Sequence, residues 1–540
     1  MIDKILHVGS RCGGGKSHET IKELLDHLLG QAPINDTYLF ASKTNQLTAQ
    51  NYDLVEGLAQ KRLSGKNLTI QRIDSVNHKG TVVRDLIELL SAGFKGIIFI
   101  SHNTLASIPA KRLENTRVVV DEVPQELAGC LMVKHAAINH GYPWDKYLVD
   151  VASKHSRYMS VELQPSANRV DIQQYINDIR QQKDTATTDK VADLLEFLLA
   201  GYEVVYTTTT NSDGALTRLY QAVHYHRLRN LADHIDFLAI LSAQLRQTLF
   251  GFIAEHHLGL PIVEKDINDR VTLVQKHRNQ VKIIPFLKKG QWSTTLRMKP
   301  ANKALMQNDQ PVTSDQPVRF LAQAFADTCL AGKDFLITLN QNDRLISSLD
   351  RPGVFPTSTA VHGMNTFRHL DHAVYLASTN PTPFDIKSFR MFAKDNALDE
   401  EKLLHSVMVE RCYETAYQCI ARTSIRNDQP DPSKEHVIIV PDMDYAEYIA
   451  GWFEPGCATI DTRHSYITTY DDSQQLKEEH RRTAVIHIMS ERLQNKGKLK
   501  DLTKKSGISM SSFKRYKKEF QFELEQLGLL KPKNTVLVGI

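Results

Sequence analysis

The residues best placed for chemistry stand five in a row, Gly13-Gly14-Gly15-Lys16-Ser17. Consecutive glycines let backbone N–H groups curl around phosphate oxygens with no Cβ in the way, and a helix beginning there turns its positive end on the same anion. The lysine suits the terminal phosphates and the serine hydroxyl suits Mg2+. A second group, Asp121-Glu122, pairs two carboxylates behind an apolar run. A third, Gln418, Arg422 and Arg426, is spaced by four and so falls on one helical face. Two guanidiniums on such a stripe can reach across a cleft and neutralise charge developing on a transferred γ-phosphate.

Each group needs an element to aim it. Ile5–Val8 reads as a strand before the glycines, and Ile21, Leu24, Leu25, Leu28 and Leu29 follow at helical spacing up to Gly30. Val118-Val119-Val120 reads as a buried strand. Its end releases Asp121 and Glu122 where ligands of a parallel sheet bind, although such a pair is also an ordinary turn or helix start. Strands with polar ends are also expected at Tyr38–Ala41, Gly96–Ile100, Ile235–Leu241, Asp334–Leu339 and Ala373–Leu376.

In this order the pieces resemble the motifs of superfamily 2 helicases, over about residues 1–430. Ser10-x-x-Gly13-x-Gly15-Lys16-Ser17 resembles motif I, with a small residue for the usual first glycine and Gly9 one place early. The stretch ending Ser42-Lys43-Thr44, with Gln50 beyond, resembles motif Ia, and Ser101-His102 resembles the next strand-end motif. Asp121-Glu122 is similar to motif II of DEAD-box proteins, with Val-Pro as its last two letters. Ser242-Ala243-Gln244 resembles motif III, Asp334–Gln341 motif IV, and Gly363-x-Asn365 motif V of phage-type members. Gln418 to Arg426 resembles motif VI, with Ala421 for its glycine and the second arginine one residue late.

The resemblance implies an α/β fold: two RecA-like P-loop NTPase lobes with parallel sheets, binding ATP and Mg2+ between them. Gly13, Gly14, Gly15, Lys16 and Ser17 would then bind nucleotide, and Ser17 and Asp121 would hold the metal. Glu122 would polarise the attacking water, with Gln418, Arg422 and Arg426 completing catalysis. Ser242, Gly363 and Asn365 would couple ATP state to grip, while Lys43, Thr44, Gln50 and His102 touch nucleic acid. Too few residues precede the loop for the adenine-reading Gln segment of true DEAD-box proteins, so nucleotide preference stays open. Motifs II and III lie further apart than is usual in the family, which places an accessory insertion near 126–230.

Beyond residue 430 the character changes. Residues 481–518 carry twelve Lys and Arg against two acids, in a chain whose net charge is only +4, so the remainder is net acidic. That is a solvated surface or a site for a polyanion. Ala484, Val485, Ile486, Ile488, Met489 and Leu493 mark a helix, Leu499 and Leu502 a second, and Gly507-Ile508-Ser509 a turn. A third helix turns Phe513, Tyr516 and Phe520 inward and Ser511, Ser512, Lys514, Arg515, Lys517 and Lys518 outward. This resembles a small all-α helix-turn-helix domain reading DNA, the alternative being a bundle for protein contacts. The expected division is a first lobe over 1–265, a second over 266–435, a connector over 436–473 and the basic module over 474–540.

The composition is that of a globular protein, 41% hydrophobic and 24% charged, with no apolar run near the roughly 18 residues of a membrane span. The six cysteines include no Cys-x-x-Cys, which argues against zinc and a disulfide framework. The start reads as a strand rather than a signal peptide, so a bacterial cytoplasm is expected. The function implied is an ATP-dependent DNA helicase or translocase of phage or mobile-element replication, its partners single-stranded or duplex DNA and further replication proteins. A replication initiator with a switch ATPase and a viral packaging motor are the alternatives.

Overall fold

The computed structural model describes residues 2–31, 33–62, 68–136, 144–152, 159–180, 189–210, 216–264, 275–359, 366–427, 434–469, 473–495, 499–505, 508–521, 524 and 529–530. The chain opens with β1 (Ile5–Gly9), α1 (Lys16–Gly30), β2 (Thr37–Ser42), α2 (Asn45–Arg62), β3 (Ile70–Arg72) and α3 (Val82–Ser91). Then come β4 (Gly96–Ser101), α4 (His102–Ser107) and β5 (Thr116–Asp121). A detour follows through β6 (Gly129–Ala136), β7 (Leu148–Ala152), β8 (Met159–Leu163), α5 (Arg169–Arg180), α6 (Asp189–Leu199), β9 (Val204–Thr210) and β10 (Leu216–His224). The first sheet is completed by α7 (His226–His234), β11 (Phe237–Ser242), α8 (Leu249–Phe252) and β12 (Ile262–Glu264).

The first sheet runs β12-β1-β11-β5-β2-β4-β3, and its strand pairs are parallel. Its strands are apolar almost throughout because helices cover both faces. The period of two sorts each strand between two layers: Val118 and Val120 join Leu39 and Ala41 on one face, Val119 joins Tyr38 and Phe40 on the other. The glycine loop, the Asp121 end of β5 and the Ser242 end of β11 emerge at the same carboxyl edge of the sheet.

The second sheet uses β13 (Val281–Lys289), α9 (Thr294–Arg297), β14 (Leu305–Gln307), β15 (Gln310–Pro311), α10 (Val318–Cys329), β16 (Phe335–Leu339), β17 (Val354–Ser358) and β18 (His372–Tyr375). After α11 (Pro383–Asp395), α12 (Glu400–Met408) and α13 (Glu414–Ile420) come β19 (His436–Asp442), α14 (Met443–Ala450), β20 (Ala458–Ile460) and β21 (Tyr466–Thr468). The order is β15-β14-β21-β13-β19-β18-β16-β17, with β20 also on β13. A parallel sheet carrying a glycine loop between strand and helix, and a second sheet that is parallel from β21 to β17 with β14 antiparallel to both β15 and β21, make the two RecA-like lobes of the fold.

Two expectations about boundaries need correction. Residues 436–473 are not a connector, because β19 is fully buried between β13 and β18 and is continuous with their hydrogen-bond ladder. Nor do all of residues 266–435 serve the second sheet: α11 and α12 place Phe389, Ala393, Leu403 and Val407 in the core of the first. α12 runs through a π-helical turn, Val409–Tyr413, directly into α13, so one helical rod extends from the first core to the second.

A separate compact unit includes the sheet β6-β10-β9-β8-β7, whose pairings β10–β9, β9–β8 and β8–β7 are antiparallel. To the same unit belong α15 (Ser473–Asn495), α16 (Leu499–Lys505) and α17 (Met510–Glu519). These three helices bury Val485, Ile488, Met489, Phe513, Tyr516 and Phe520 together. Ser509 caps α17, its Oγ accepting from Ser512 N at 3.1 Å. Leu493, expected inward, is 58% exposed, because it lies near the end of α15 beyond this core.

Candidate nucleotide site

The loop after β1 is built by backbone conformation. Gly13 and Gly15 have φ of +78° and +82°, the left-handed region where a Cβ is strained. Gly15 then starts α1, aiming the first-turn N–H groups into the cleft. Lys16 Nζ folds back on the loop, donating to Ser10 O at 2.7 Å and Arg11 O at 3.1 Å. Burial depresses the basicity of this ammonium. Ser17 Oγ lies 3.0 Å from each carboxylate oxygen of Asp121. Asp121 is buried, and burial followed by repulsion from Glu122 raises its pKa.

Asp121 is held from behind by Asn51, whose Nδ2 donates to Oδ2 at 3.0 Å and to Ser42 Oγ at 3.1 Å. Glu122 sits at φ +74°, a left-handed backbone unusual for a glutamate, and its N–H donates to Leu241 O at 2.9 Å. Lys43 comes within 3.9 Å of Glu122 Oε2. Because β2 and β5 are parallel neighbours with Ser42 opposite Asp121, the next residues, Lys43 and Glu122, meet beyond the strand ends. Lys43, expected on nucleic acid, is therefore turned to the carboxylate pair.

The second lobe supplies the opposite wall. One cleft is lined by Cys12, Gly13–His18, Asp121, Glu122, Ser242, Arg368, Gln418, Arg422 and Arg426. The three expected motif VI residues thus converge, though not along one helix face. α13 stops at Ile420, Thr423 turns extended (ψ −172°) with its hydroxyl on Ile420 O, and Arg426 lies in a short 3-10 turn. That turn packs against the glycine loop so closely that a Cβ on Gly13 would lie 2.8 Å from Arg426 Cβ. Arg422 is 9% exposed, and its Nε has no hydrogen-bond partner among the described residues.

Other expected residues fall differently. Ser242 lines the cleft, with Oγ 3.1 Å from His7 Nε2, and His7 Nδ1 is 2.9 Å from Glu264. This pair overlies Gly9, where a Cβ would lie 2.9 Å from the His7 ring, which accounts for the glycine one place before the loop. His102, expected to face nucleic acid, is 1% exposed; its Nε2 is 2.9 Å from Asp121 O, so it buttresses the end of β5 instead. Thr44 Oγ1 accepts from Leu47 N at 3.2 Å in the first turn region of α2, and Gln50 is exposed on that helix. Gly363 and Asn365 lie outside the described residues. On α17, Ser511, Lys514, Arg515 and Lys518 are exposed and Ser512 is half-buried.

Several site residues carried no signal in the sequence. Arg368, Asn51, Tyr417 and His277 belong to no spacing pattern, and only the fold brings them in; Glu414 was missed as well. Burial raises the Glu414 carboxyl to about 7 while it bonds Tyr448 and faces Lys16. Glu414 stands four residues before Gln418, so helical spacing could have suggested it.

The donor set fits Mg2+. Ser17 and Asp121 present hard oxygens side by side, and Mg2+ takes one or two such groups with phosphate and water completing its shell.

No family model matches the chain. No curated protein matches it. Among solved structures it is similar to Mss116p bound to ssRNA and AMP-PNP, at 9% identity and TM-score 0.33, covering 98% of this chain and 86% of that one. It is also similar to a point variant of S. cerevisiae Dbp5 bound to RNA and ADP BeF3, at 10% identity and TM-score 0.33, covering 88% of each chain. RecG bound to a three-way DNA junction matches at 10% identity and TM-score 0.30, over 84% of this chain and 42% of that one.

Proposed function

We propose that this chain is an ATP-driven motor on nucleic acid, a helicase or translocase of superfamily 2 type. One observation carries the reading: Ser17 and Asp121, 3.0 Å apart at the mouth of a glycine loop, share a cleft with Gln418, Arg422 and Arg426 from the other lobe. A P-loop alone binds nucleotide; a second lobe that brings arginines to it makes hydrolysis depend on lobe closure.

The geometry supports a division of labour. Gly13–Gly15 and the start of α1 cradle the phosphates, and Lys16 leaves its two carbonyl acceptors for the β- and γ-oxygens. Ser17 and Asp121 would hold Mg2+, which would supply positive charge to the phosphates. Glu122 orients the attacking water, kept in place by its constrained backbone. Arg422 and Arg426 neutralise the charge that develops on transfer. Ser242 at the end of β11 couples this site to the grip on a strand, together with Gly363 and Asn365. Gln50 and Thr44 on the motif Ia side belong to the strand-binding face, and the basic outer face of α17, with Ser511, Ser512, Lys514, Arg515 and Lys518, reads duplex DNA as a helix-turn-helix. A setting in phage or mobile-element replication accords with the forms of motifs V and VI.

The test is ATP turnover by the full chain with single-stranded DNA, duplex DNA and RNA side by side. A strand of any sequence is expected to stimulate turnover, and Lys16→Ala to abolish it. Stimulation by one duplex site only would favour an initiator with a switch ATPase. No turnover with any polymer, or full turnover in Lys16→Ala, removes the motor reading.

A further inference from the structure

The second lobe touches the glycine loop at Cys12, the residue just before the three glycines. Cys12 N, the amide just before Gly13, donates to Tyr417 Oη at 2.9 Å. Tyr417 Oη lies 2.8 Å from His277 Nε2, and His277 Nδ1 lies 3.0 Å from Ile425 O. His277 Nδ1 also has Arg11 Nη1 at 3.5 Å, but the carbonyl at 3.0 Å is the shorter contact and only accepts, so we assign the proton to Nδ1 and let Nε2 accept from the Tyr417 hydroxyl. With that tautomer the bonds run in one direction: Cys12 N–H to Tyr417, Tyr417 O–H to His277, His277 N–H to Ile425. Arg11 closes the loop from the other side, Nη1 donating to Arg426 O at 3.1 Å.

The surroundings keep this chain in one state. Tyr417, His277 and Arg11 are each at most 2% exposed. Burial and the nearby Arg11 hold the His277 imidazole neutral, its pKa pushed down to about 3. Tyr417 stacks on Trp452 at 4.7 Å with rings 4° from parallel, and His277 packs on Phe453. The chain ends at Ile425 and Arg426, the turn that carries an arginine into the cleft.

We infer that Tyr417 and His277 are positioning residues that tie the conformation of the glycine loop to the arginine turn. The amide they capture lies before the phosphate-facing N–H groups, so the tie remains possible with nucleotide in place. Loop and turn then move as one two-state element: when Cys12 shifts, Ile425 and Arg426 lose their anchor, and the arginines leave the γ-phosphate end of the cleft. Neither residue touches the reacting atoms. This rests on the proposed ATPase.

Tyr417→Phe in the full chain removes the hydroxyl and keeps the ring on Trp452. Turnover number is expected to fall about tenfold to a hundredfold, as for misplacement of a catalytic group, with KM for ATP within about twofold. In an Arg422→Ala background, where the arginine turn already fails, Tyr417→Phe is expected to cost nothing further. Unchanged turnover in Tyr417→Phe, a change in KM alone, or an equal loss in the Arg422→Ala background overturns the inference. Should Tyr417→Phe melt early, His277→Leu, which removes the acceptor and fills the same space, is read by the same two-background comparison. If the unmodified chain shows no ATP turnover at all, the ATPase reading has failed instead, and fluorescent-nucleotide binding to unmodified chain and Tyr417→Phe then decides the tie: equal affinities for a triphosphate and a diphosphate in both proteins overturn it.

Discussion

At the scale of single residues, the cleft separates binding from turnover. Asp121 and Ser17 face each other at hydrogen-bond distance, whereas Glu122 is turned aside by its left-handed backbone toward Lys43. Glu122→Gln is therefore expected to bind Mg-ATP as the parent does and to turn it over very slowly. Equilibrium binding of a fluorescent ATP analogue beside a turnover assay decides this; loss of binding in a folded variant would reverse the roles of Asp121 and Glu122. Arg422→Ala is expected to leave binding nearly intact and to cut turnover by roughly 10³-fold, the usual worth of an arginine that meets transferred charge. Unaltered turnover would mean the second lobe does not complete the site. The Lys16, Ser17, Asp121 and Arg422 positions were readable because each sits in a local pattern of types. Lys43 and His102 were not, because their directions depend on which strands are neighbours: β5 lies beside β2, which turns Lys43 to the carboxylate pair, while His102, at the end of β4, reaches the backbone O of Asp121.

At the scale of elements, the helical rod from Glu400 to Ile420 is the most consequential. Its π-helical turn sits between the two cores, and there Glu410 accepts from Phe250 N at 3.1 Å. Burial raises the Glu410 carboxyl to about 7. Its folded pKa is above its unfolded one, so the folded chain retains a proton that the unfolded chain releases. The contribution to stability is full below about 4.5 and is lost as pH rises toward about 7. Glu410→Gln keeps an acceptor for Phe250 N without the titration. Urea unfolding of parent and variant at several pH values is expected to show the variant gaining relative to the parent as pH rises from about 5 to 8, by on the order of a few kcal/mol. A constant difference across that range would place Glu410 in a wetter setting. The strands β1, β2, β4, β5, β11, β16 and β18 and the helix α1 were legible from periodicity, but this rod was not, since only the assembled fold shows that α11 and α12 bury their apolar residues in the first lobe.

At the scale of the whole molecule, the described residues form two compact units, one with the first and second sheets and one with the antiparallel sheet and the basic helices. Every residue lining the nucleotide cleft lies in the first. Removal of residues 474–540 is therefore expected to leave strand-stimulated turnover largely standing. Duplex affinity is expected to fall and to lose part of its salt dependence, because Lys514, Arg515 and Lys518 no longer displace counterions. Neutralising Lys514 and Arg515 together is expected to reproduce part of that loss. Duplex affinity measured against salt checks both, and an unchanged slope would point to a protein partner for this module. The order of the two lobes was legible because strand-end motifs recur in sequence. The placement of 436–473 was not, because β19 is a central strand only by virtue of partners far away in the chain.

The position of β1 has a consequence for how the chain is made. β1 is flanked by β11 and β12, which follow it by more than 200 residues. At about 5–20 residues per second, translation leaves this strand, with the glycine loop at its end, without either neighbour for roughly ten seconds or longer. Until Phe237–Ser242 has left the ribosome, both hydrogen-bonding edges of an apolar strand stand open to whatever strand arrives first. The first lobe thus closes late on a strand made long before either of its neighbours.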